Sequence, residues 1–433
     1  MLHVGFILPP DTVNFQPFRN QPLTILYLMS ILEERLGHKI ELSLIDLRGV
    51  NTQHIKYCIP EIDVYAYTAM SPEFFTICKV RDLIRSIYPK SLHIVGGPHI
   101  IIFKEKASEG FDSISVGEGE EIIGQMINDI LANNLKPVYE NEKVIDLDKY
   151  PYPFRKYLPR AAVVDKGLLD GENKHLLGTN VLFSRGCPFN CYFCAKIISG
   201  PTKFRSPKLI EQEIEYLKKE YKVEALAIKD DNSIPVDKKI AKPFLEAIGR
   251  TRVKWRGQSR ANGISEDMVE LAKEAGCADI AIGIESISSK ALKLVNKKID
   301  LEQAKEYIRI LHKYEIGVRL NFLFGLPGEP EDVVARTLDF IDETKPKSVL
   351  LSLLCPMPGT KIANNLDEFG MRITDNNFGN YYTVFGRFDE NEKAHLLFEY
   401  KKTAPWGTSM SAGKILSNYN ELQAILRDRN LIF

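Results

Sequence analysis

Neither sign of charge is in excess: 57 lysines and arginines stand against 57 aspartates and glutamates in 433 residues. A nucleic-acid-binding chain would need a basic surplus to neutralise phosphates, so that class is set aside. No apolar run reaches the roughly 18 residues a membrane-spanning helix needs. The first residues, MLHVGFILPPD, have no basic start, long apolar core or small-residue cleavage site of a secretory leader. Gly (28) and Pro (23) stay at ordinary levels, which excludes a low-complexity chain. The expectation is a globular, cytoplasmic protein with no nucleic-acid or membrane partner. Its length suits two or three domains.

Cysteine is also scarce. The seven present are odd in number and spread over a long chain, which is no disulfide framework. Cys58, Cys78, Cys277 and Cys355 stand singly in apolar or mixed segments, and the first three read as buried thiols. The remaining three crowd together in Cys187-Pro188-Phe189-Asn190-Cys191-Tyr192-Phe193-Cys194.

What the sequence does have is alternation. Segments 3–8, 41–47, 63–69, 93–97 and 113–117 are β-rich, and 22–36, 73–87 and 119–133 repeat apolar residues at helical spacing. Strands alternating with helices predict a parallel, doubly wound α/β domain over residues 1–145. Residues 146–178, with three prolines in DLDKYPYPFRKYLPR, read as a surface linker. A second alternation over 179–360 has candidate strands at 180–185, 224–231, 253–260, 278–286, 318–325 and 348–355. Six such units predict a partial (β/α)6 barrel with its chemistry at the strand C-terminal ends. The polar, aromatic-bearing region 361–433, with Tyr381, Tyr382, Phe385, Trp406 and Tyr419, reads as a small C-terminal cap.

Three thiolates on one short loop can converge on one inorganic centre. A structural zinc site would want a fourth ligand at related spacing, and Cys277 lies 83 positions beyond Cys194 (277 − 194). A four-iron cluster on three thiolates keeps one iron open, which is a catalytic arrangement. The C-x3-C-x2-C run after the first barrel strand resembles the radical S-adenosylmethionine (SAM) superfamily, the resemblance covering about residues 179–360. It implies that Cys187, Cys191 and Cys194 hold a [4Fe–4S] cluster, with SAM on the open iron. One electron, from a donor such as flavodoxin or ferredoxin, would cleave SAM to methionine and a 5′-deoxyadenosyl radical. The resemblance further assigns SAM contacts to Phe193, to Asp230 or Asp231, to Ser259 and Arg260, to Gly283 and Glu285 in a GIES segment, and to Asn321. The turn Gly325-Leu326-Pro327-Gly328-Glu329 resembles the family's GLPGE turn.

The first domain lacks a G-x-G-x-x-G fingerprint, and no Walker A run occurs anywhere in the chain. Glycines do follow two of its strands, in Gly96-Gly97-Pro98-His99 and Gly117-Glu118-Gly119-Glu120, where open α/β domains bind ligands. With the TAMSPEF segment at 68–74, these pieces resemble the cobalamin-binding-type domain that precedes many radical SAM barrels. That resemblance implies a cobalamin site at Thr68, Ser71, Gly96, Gly97, Gly117, Glu118 and Gly119. A side chain added at Gly97 is expected to project into the ligand's approach path. The D-x-H-x-x-G cobalt-ligand motif is missing, since none of the eight histidines follows an Asp by two. His99 is therefore not assigned to cobalt.

The leading expectation is a cobalamin-type radical SAM enzyme that functionalises, most often by methylation, an unactivated carbon of an unknown substrate. A rearrangement, cyclisation or epimerisation enzyme with a degenerate first domain is the alternative, with Cys355 as its candidate hydrogen donor. A non-catalytic iron–sulfur or zinc protein is the reading of another class.

Overall fold

A computed structural model describes residues 1–10, 17–197, 200–381 and 394–432. The first domain has strands β1 (Leu2–Leu8), β2 (Ile40–Asp46), β3 (Val64–Thr68), β4 (Leu92–Gly96), β5 (Ser113–Gly117) and β6 (Val138–Asn141). They form one parallel sheet in the order β2-β1-β3-β4-β5-β6. The direction of winding reverses beside β1, and ligands of such sheets bind at the carboxyl edge there. Helices Leu23–Leu36 and Gly119–Leu131 cover one face, where Leu26, Met29, Ile31 and Ile127 are fully buried against Val4 and Val64.

The barrel sheet is equally regular. Its strands β7 (Gly178–Val181), β10 (Ala225–Ile228), β11 (Lys254–Ser259), β12 (Cys277–Glu285), β13 (Gly317–Phe324) and β14 (Ser348–Leu353) pair in parallel in sequential order. The expected strand at 180–185 is divided. After β7, a two-residue strand β8 (Ser184–Arg185) pairs antiparallel with β9 (Lys203–Phe204), and the loop between them carries the cysteines. Asp237 and Asp300 accept hydrogen bonds from Lys239 and Gln303 N–H groups and so cap two of the outer helices, Lys238–Arg250 and Leu301–Lys313.

Two regions depart from their polar sequence. The stretch 146–178 is no surface strap: Leu147, Tyr150, Leu158 and Val163 are buried in the first domain's core. Arg155 within it is fully buried, donating to Asn180 O at 3.0 Å, Glu213 Oε1 at 3.1 Å and Gln21 Oε1 at 3.1 Å. The C-terminal region does more than cap the barrel. Its helix Ala412–Asp428 buries Tyr419, Leu422 and Leu426 in the barrel core, while Trp406 donates to Phe369 O. Tyr381 is described; Tyr382 and Phe385 lie outside the described residues. Among the described residues no helix is long and apolar enough to cross a membrane.

Candidate active site

The sulfur loop is held from two neighbouring strand ends. Just past β10, Asn232 Nδ2 donates to Cys187 Sγ at 3.5 Å, and just past β11, Arg260 Nη1 donates to Cys191 Sγ at 3.3 Å. The Arg260 guanidinium also lies 3.8 Å from the centre of the Phe189 ring, so the loop is clamped by charge and by stacking. All three cysteines line one cavity of about 230 Å³, together with Asp231 and Lys203. The Cys194 side chain is exposed at the cavity, yet desolvation by the surrounding loop pushes its thiol up to about 11, with Cys191, Asp231 and Cys187 adding to the shift and Lys297 opposing it. Among the described residues no three His, Cys, Asp or Glu side chains close on a single-ion position. Three thiols around one cavity, with donors aimed at two of the sulfurs, suit a cluster.

A second cavity of about 320 Å³ opens at the carboxyl edge of the first domain's sheet. Thr68, Gly96, Gly97, Gly117, Glu118 and Gly119 all line it. Gly97 and Gly117 have φ of +97° and +113°, which side chains rarely adopt. A Cβ at Gly97 would meet Ala69 N at 2.8 Å, and one at Gly117 would meet Asn141 O at 2.2 Å. The expectation for Gly97 is corrected accordingly: a side chain there collides with the neighbouring strand end, so the glycine shapes the turn. Ser71 is also corrected. It stands outside the cavity lining and its hydroxyl pairs with His99 Nδ1 at 3.0 Å. The His99 ring stacks 3.9 Å from Phe74, and burial pushes its pKa down to about 4.

The two cavities share a wall. Glu118, Arg185 and Ile197 line both. Glu118 accepts from Arg185 at 3.5 Å and from Lys203, and Arg185 also pairs with Glu120. These charges join the first domain to the β8–β9 hairpin. Arg185 and Lys203 escaped the sequence reading because their partners lie 67 and 85 positions away.

Residues 181–341 match the family model described as Radical SAM superfamily. This stretch is a radical SAM domain. Among curated proteins, an uncharacterized methyltransferase of Pyrococcus horikoshii is 27% identical over 410 residues, covering 84% of each chain. The bacteriochlorophyllide d C-12(1)-methyltransferase of Chlorobaculum tepidum is 26% identical over 372 residues, 83% of this chain and 74% of that one. Among solved structures, the radical SAM methyltransferase TsrM of Kitasatospora setae, with cobalamin and a [4Fe–4S] cluster bound, superposes with a TM-score of 0.73. It is 16% identical, and the match spans 100% of this chain and 91% of that one, a likeness of fold through both domains.

Within the radical SAM domain the expected SAM residues stand in different surroundings. Asp231 faces the cluster cavity, while Asp230 is fully buried with both oxygens engaged, accepting from Phe183 N at 2.8 Å and Ser184 Oγ at 2.7 Å. Asp230 therefore braces the strand end that launches the cysteine loop, and its assignment to SAM is withdrawn. Ser259 is likewise used internally, bonded to Arg260 O and Tyr307 OH. Glu285 stands at a register shift beside Gly283 with φ +69°, and accepts from Lys297 Nζ at 2.8 Å. Lys297 in turn lies 5.9 Å from the Phe193 ring centre. Asn321 lines a separate cavity inside the barrel. Cys355 is buried just beyond β14, and burial pushes its thiol up to about 12. Of the cysteines read as buried, Cys58 is exposed and Cys78 only half-buried.

The GLPGE turn is tied by its own glutamate. Glu329 accepts from Gly325 N at 2.9 Å, Leu326 N at 3.2 Å and Ser286 Oγ at 2.8 Å. Burial pushes its pKa up to about 7, with those donors opposing the shift. The folded state then holds a proton that the unfolded chain releases near 4.5, the ordinary value for this group. This contribution to stability is present at low pH and lost as the pH rises from about 4.5 to 7, on the order of 1–3 kcal/mol. Urea midpoints of wild type and Glu329→Gln across that range check this. The variant is expected to show the flatter profile.

Proposed function

We propose that this chain is a radical SAM enzyme that uses a corrinoid in its first domain to methylate an unactivated carbon. The observation that carries the reading is the shared wall of Glu118, Arg185 and Ile197 between the sulfur-lined cavity and the glycine-edged one. When bound, the cluster supplies an electron to SAM and the corrinoid supplies a methyl carrier. Cys187, Cys191 and Cys194 would hold the cluster, with Asn232 and Arg260 fixing two of the sulfurs. Asp231 lines that cavity as a group for SAM's ammonium. The Glu285–Lys297 pair orders the strand end beside Phe193. For the corrinoid, the turns that Gly97 and Gly117 shape at the sheet edge and the apolar wall of Leu28, Ile101 and Met126 suit a broad, largely apolar ring. His99, stacked and engaged elsewhere, leaves cobalt without an imidazole from this segment. A flavodoxin- or ferredoxin-like donor would supply the electrons.

Thr24 tests the corrinoid half of the reading. It is exposed, lies in the first turn of Leu23–Leu36, and lines the first domain's cavity. Protein made with cobalamin supplied is expected to retain about one corrinoid per chain. Thr24→Trp should retain several-fold less with an unchanged melting temperature, because the indole fills the cavity from outside the core. Absorption spectra of the anaerobic proteins report corrinoid and cluster together. A wild type that retains no corrinoid overturns the methylation reading.

A further inference from the structure

Behind the cysteine-bearing mouth, the half-barrel holds another cavity, of about 250 Å³. Its wall includes Lys229 just past β10, Arg256 and Gln258 on β11, Asp279 on β12, and Arg319 and Asn321 on β13. Residues two apart on a strand share a face, and the register sets Arg256 beside Asp279 and Gln258 beside Ala281. The charge along this face is unbalanced. Asp279 is already shared by Lys347 at 2.9 Å and Arg319 at 3.7 Å, and Arg319 also pairs with Asp170. Arg256 has no hydrogen-bond or ion-pair partner among the described residues. Lys229 is exposed to the water of the cavity and, among the described residues, donates only to the neutral amide of Asn20, at 3.1 Å.

A half-buried guanidinium with nothing to bond is costly, and such cations are normally paired. Burial, together with Arg319 and Arg19, pushes Arg256 down to about 10, against the pull of Asp170 and Asp279. Although its side chain reaches water, partial desolvation by the cavity wall, with Arg256 and Arg19, pushes Lys229 down to about 8. An anion entering the cavity would relieve both. The same two strands lead upward to the sulfur loop: three residues past Lys229 is Asn232, which donates to Cys187, and four past Arg256 is Arg260, which donates to Cys191. Four residues of strand span roughly 13 Å.

We propose that this cavity seats the anionic end of the substrate, a carboxylate or phosphate held by Arg256 and Lys229, with the reacting carbon toward the mouth. The proposal rests on the radical SAM reading above and narrows it. The substrate class is a small organic acid or phosphate ester whose reacting carbon lies on the order of 10 Å from its charge, a span set by the strand rise. On the same face Asn321 offers a neutral hydrogen bond between the two ends, as does the Oε1 of Gln258, whose Nε2 donates to Asp230 O at 2.9 Å.

Calorimetric titration of the full-length anaerobic protein with hexanoate, hexyl phosphate and hexanamide tests the site without turnover. At least one anion is expected to bind, at least tenfold more tightly than the neutral amide, and which of the two binds better separates carboxylate from phosphate. Arg256→Gln should weaken the anion at least tenfold, and Arg256→Lys should restore part of the loss. Lys229→Gln should weaken it several-fold, and because this side chain meets water it decides the matter if Arg256→Gln fails to fold. Equal binding of amide and anions, no binding of any probe, or anion affinity unchanged in both Gln variants would overturn the site. SAM cleavage by the same wild-type preparation reads the chemistry separately. Cleavage without anion binding removes only the anion site, and anion binding without cleavage removes only the radical SAM reading.

Discussion

Alanine at Cys187, Cys191 and Cys194 together is expected to strip the protein of iron, from about four per chain to background. SAM cleavage should fall with it, by at least about a thousandfold, an effect of roughly 4 kcal/mol or more on the barrier. The barrel should survive, because the loop between β8 and β9 contributes little core: Cys187 and Cys191 are half-buried and Cys194 is exposed. Alanine at Cys277 is the control. That thiol lies at the start of β12, buried within the core and remote from the sulfur cavity, so its loss should leave iron unchanged. Iron analysis with far-ultraviolet circular dichroism on both variants separates the outcomes. Iron retained by the triple variant would move the cluster elsewhere.

The second large effect is on stability. Arg155 and Glu213 are both fully buried and meet at 3.1 Å where the linker, the first domain and the barrel come together. The same guanidinium donates to Gln21 of the first domain and to Asn180 O of β7, so one side chain joins three segments. Burial raises the Glu213 pKa, and Arg155 and then Arg205 hold it back. Arg155→Met leaves that carboxyl without its direct partner, at a cost of about 3–5 kcal/mol. Adding Glu213→Leu should recover part of the loss, since removing both charges is far cheaper than stranding one. Urea unfolding of the two single variants and the double variant gives the coupling energy. A loss below ~1 kcal/mol in Arg155→Met would show that water or Arg205 already serves Glu213.

Why some features were legible and others not follows from where their partners lie. The alternation of 3–8, 41–47, 63–69, 93–97 and 113–117 with helical stretches foretold β1 to β5, because buried parallel strands declare themselves locally. The sixth strand, Val138–Asn141, was missed: its VYEN is half polar and it takes its place only by pairing with β5. The linker's burial was hidden for a like reason, since DLDKYPYPFRKYLPR looks exposed until Arg155 finds Glu213, 58 positions on. At the site, cysteine spacing marked the sulfur loop, and glycines after strands marked the first domain's edge. What distinguishes Asp230 from Asp231 is invisible in a run of two aspartates. One turns inward to Phe183 and Ser184, the other to the cavity. Arg185, Lys203 and the barrel's Arg256 carry no motif, and only the folded chain shows what they face.

A chain that runs two kinds of SAM chemistry across the wall shared by its cavities must form two products from SAM. The direct measurement is product analysis after anaerobic incubation of the cluster- and cobalamin-loaded protein with SAM, a reductant and hydroxocobalamin. Both S-adenosylhomocysteine, from methyl donation, and 5′-deoxyadenosine, from reductive cleavage, are expected, with the second lost in the triple cysteine variant. Absence of 5′-deoxyadenosine from a preparation carrying its full iron would contradict this expectation.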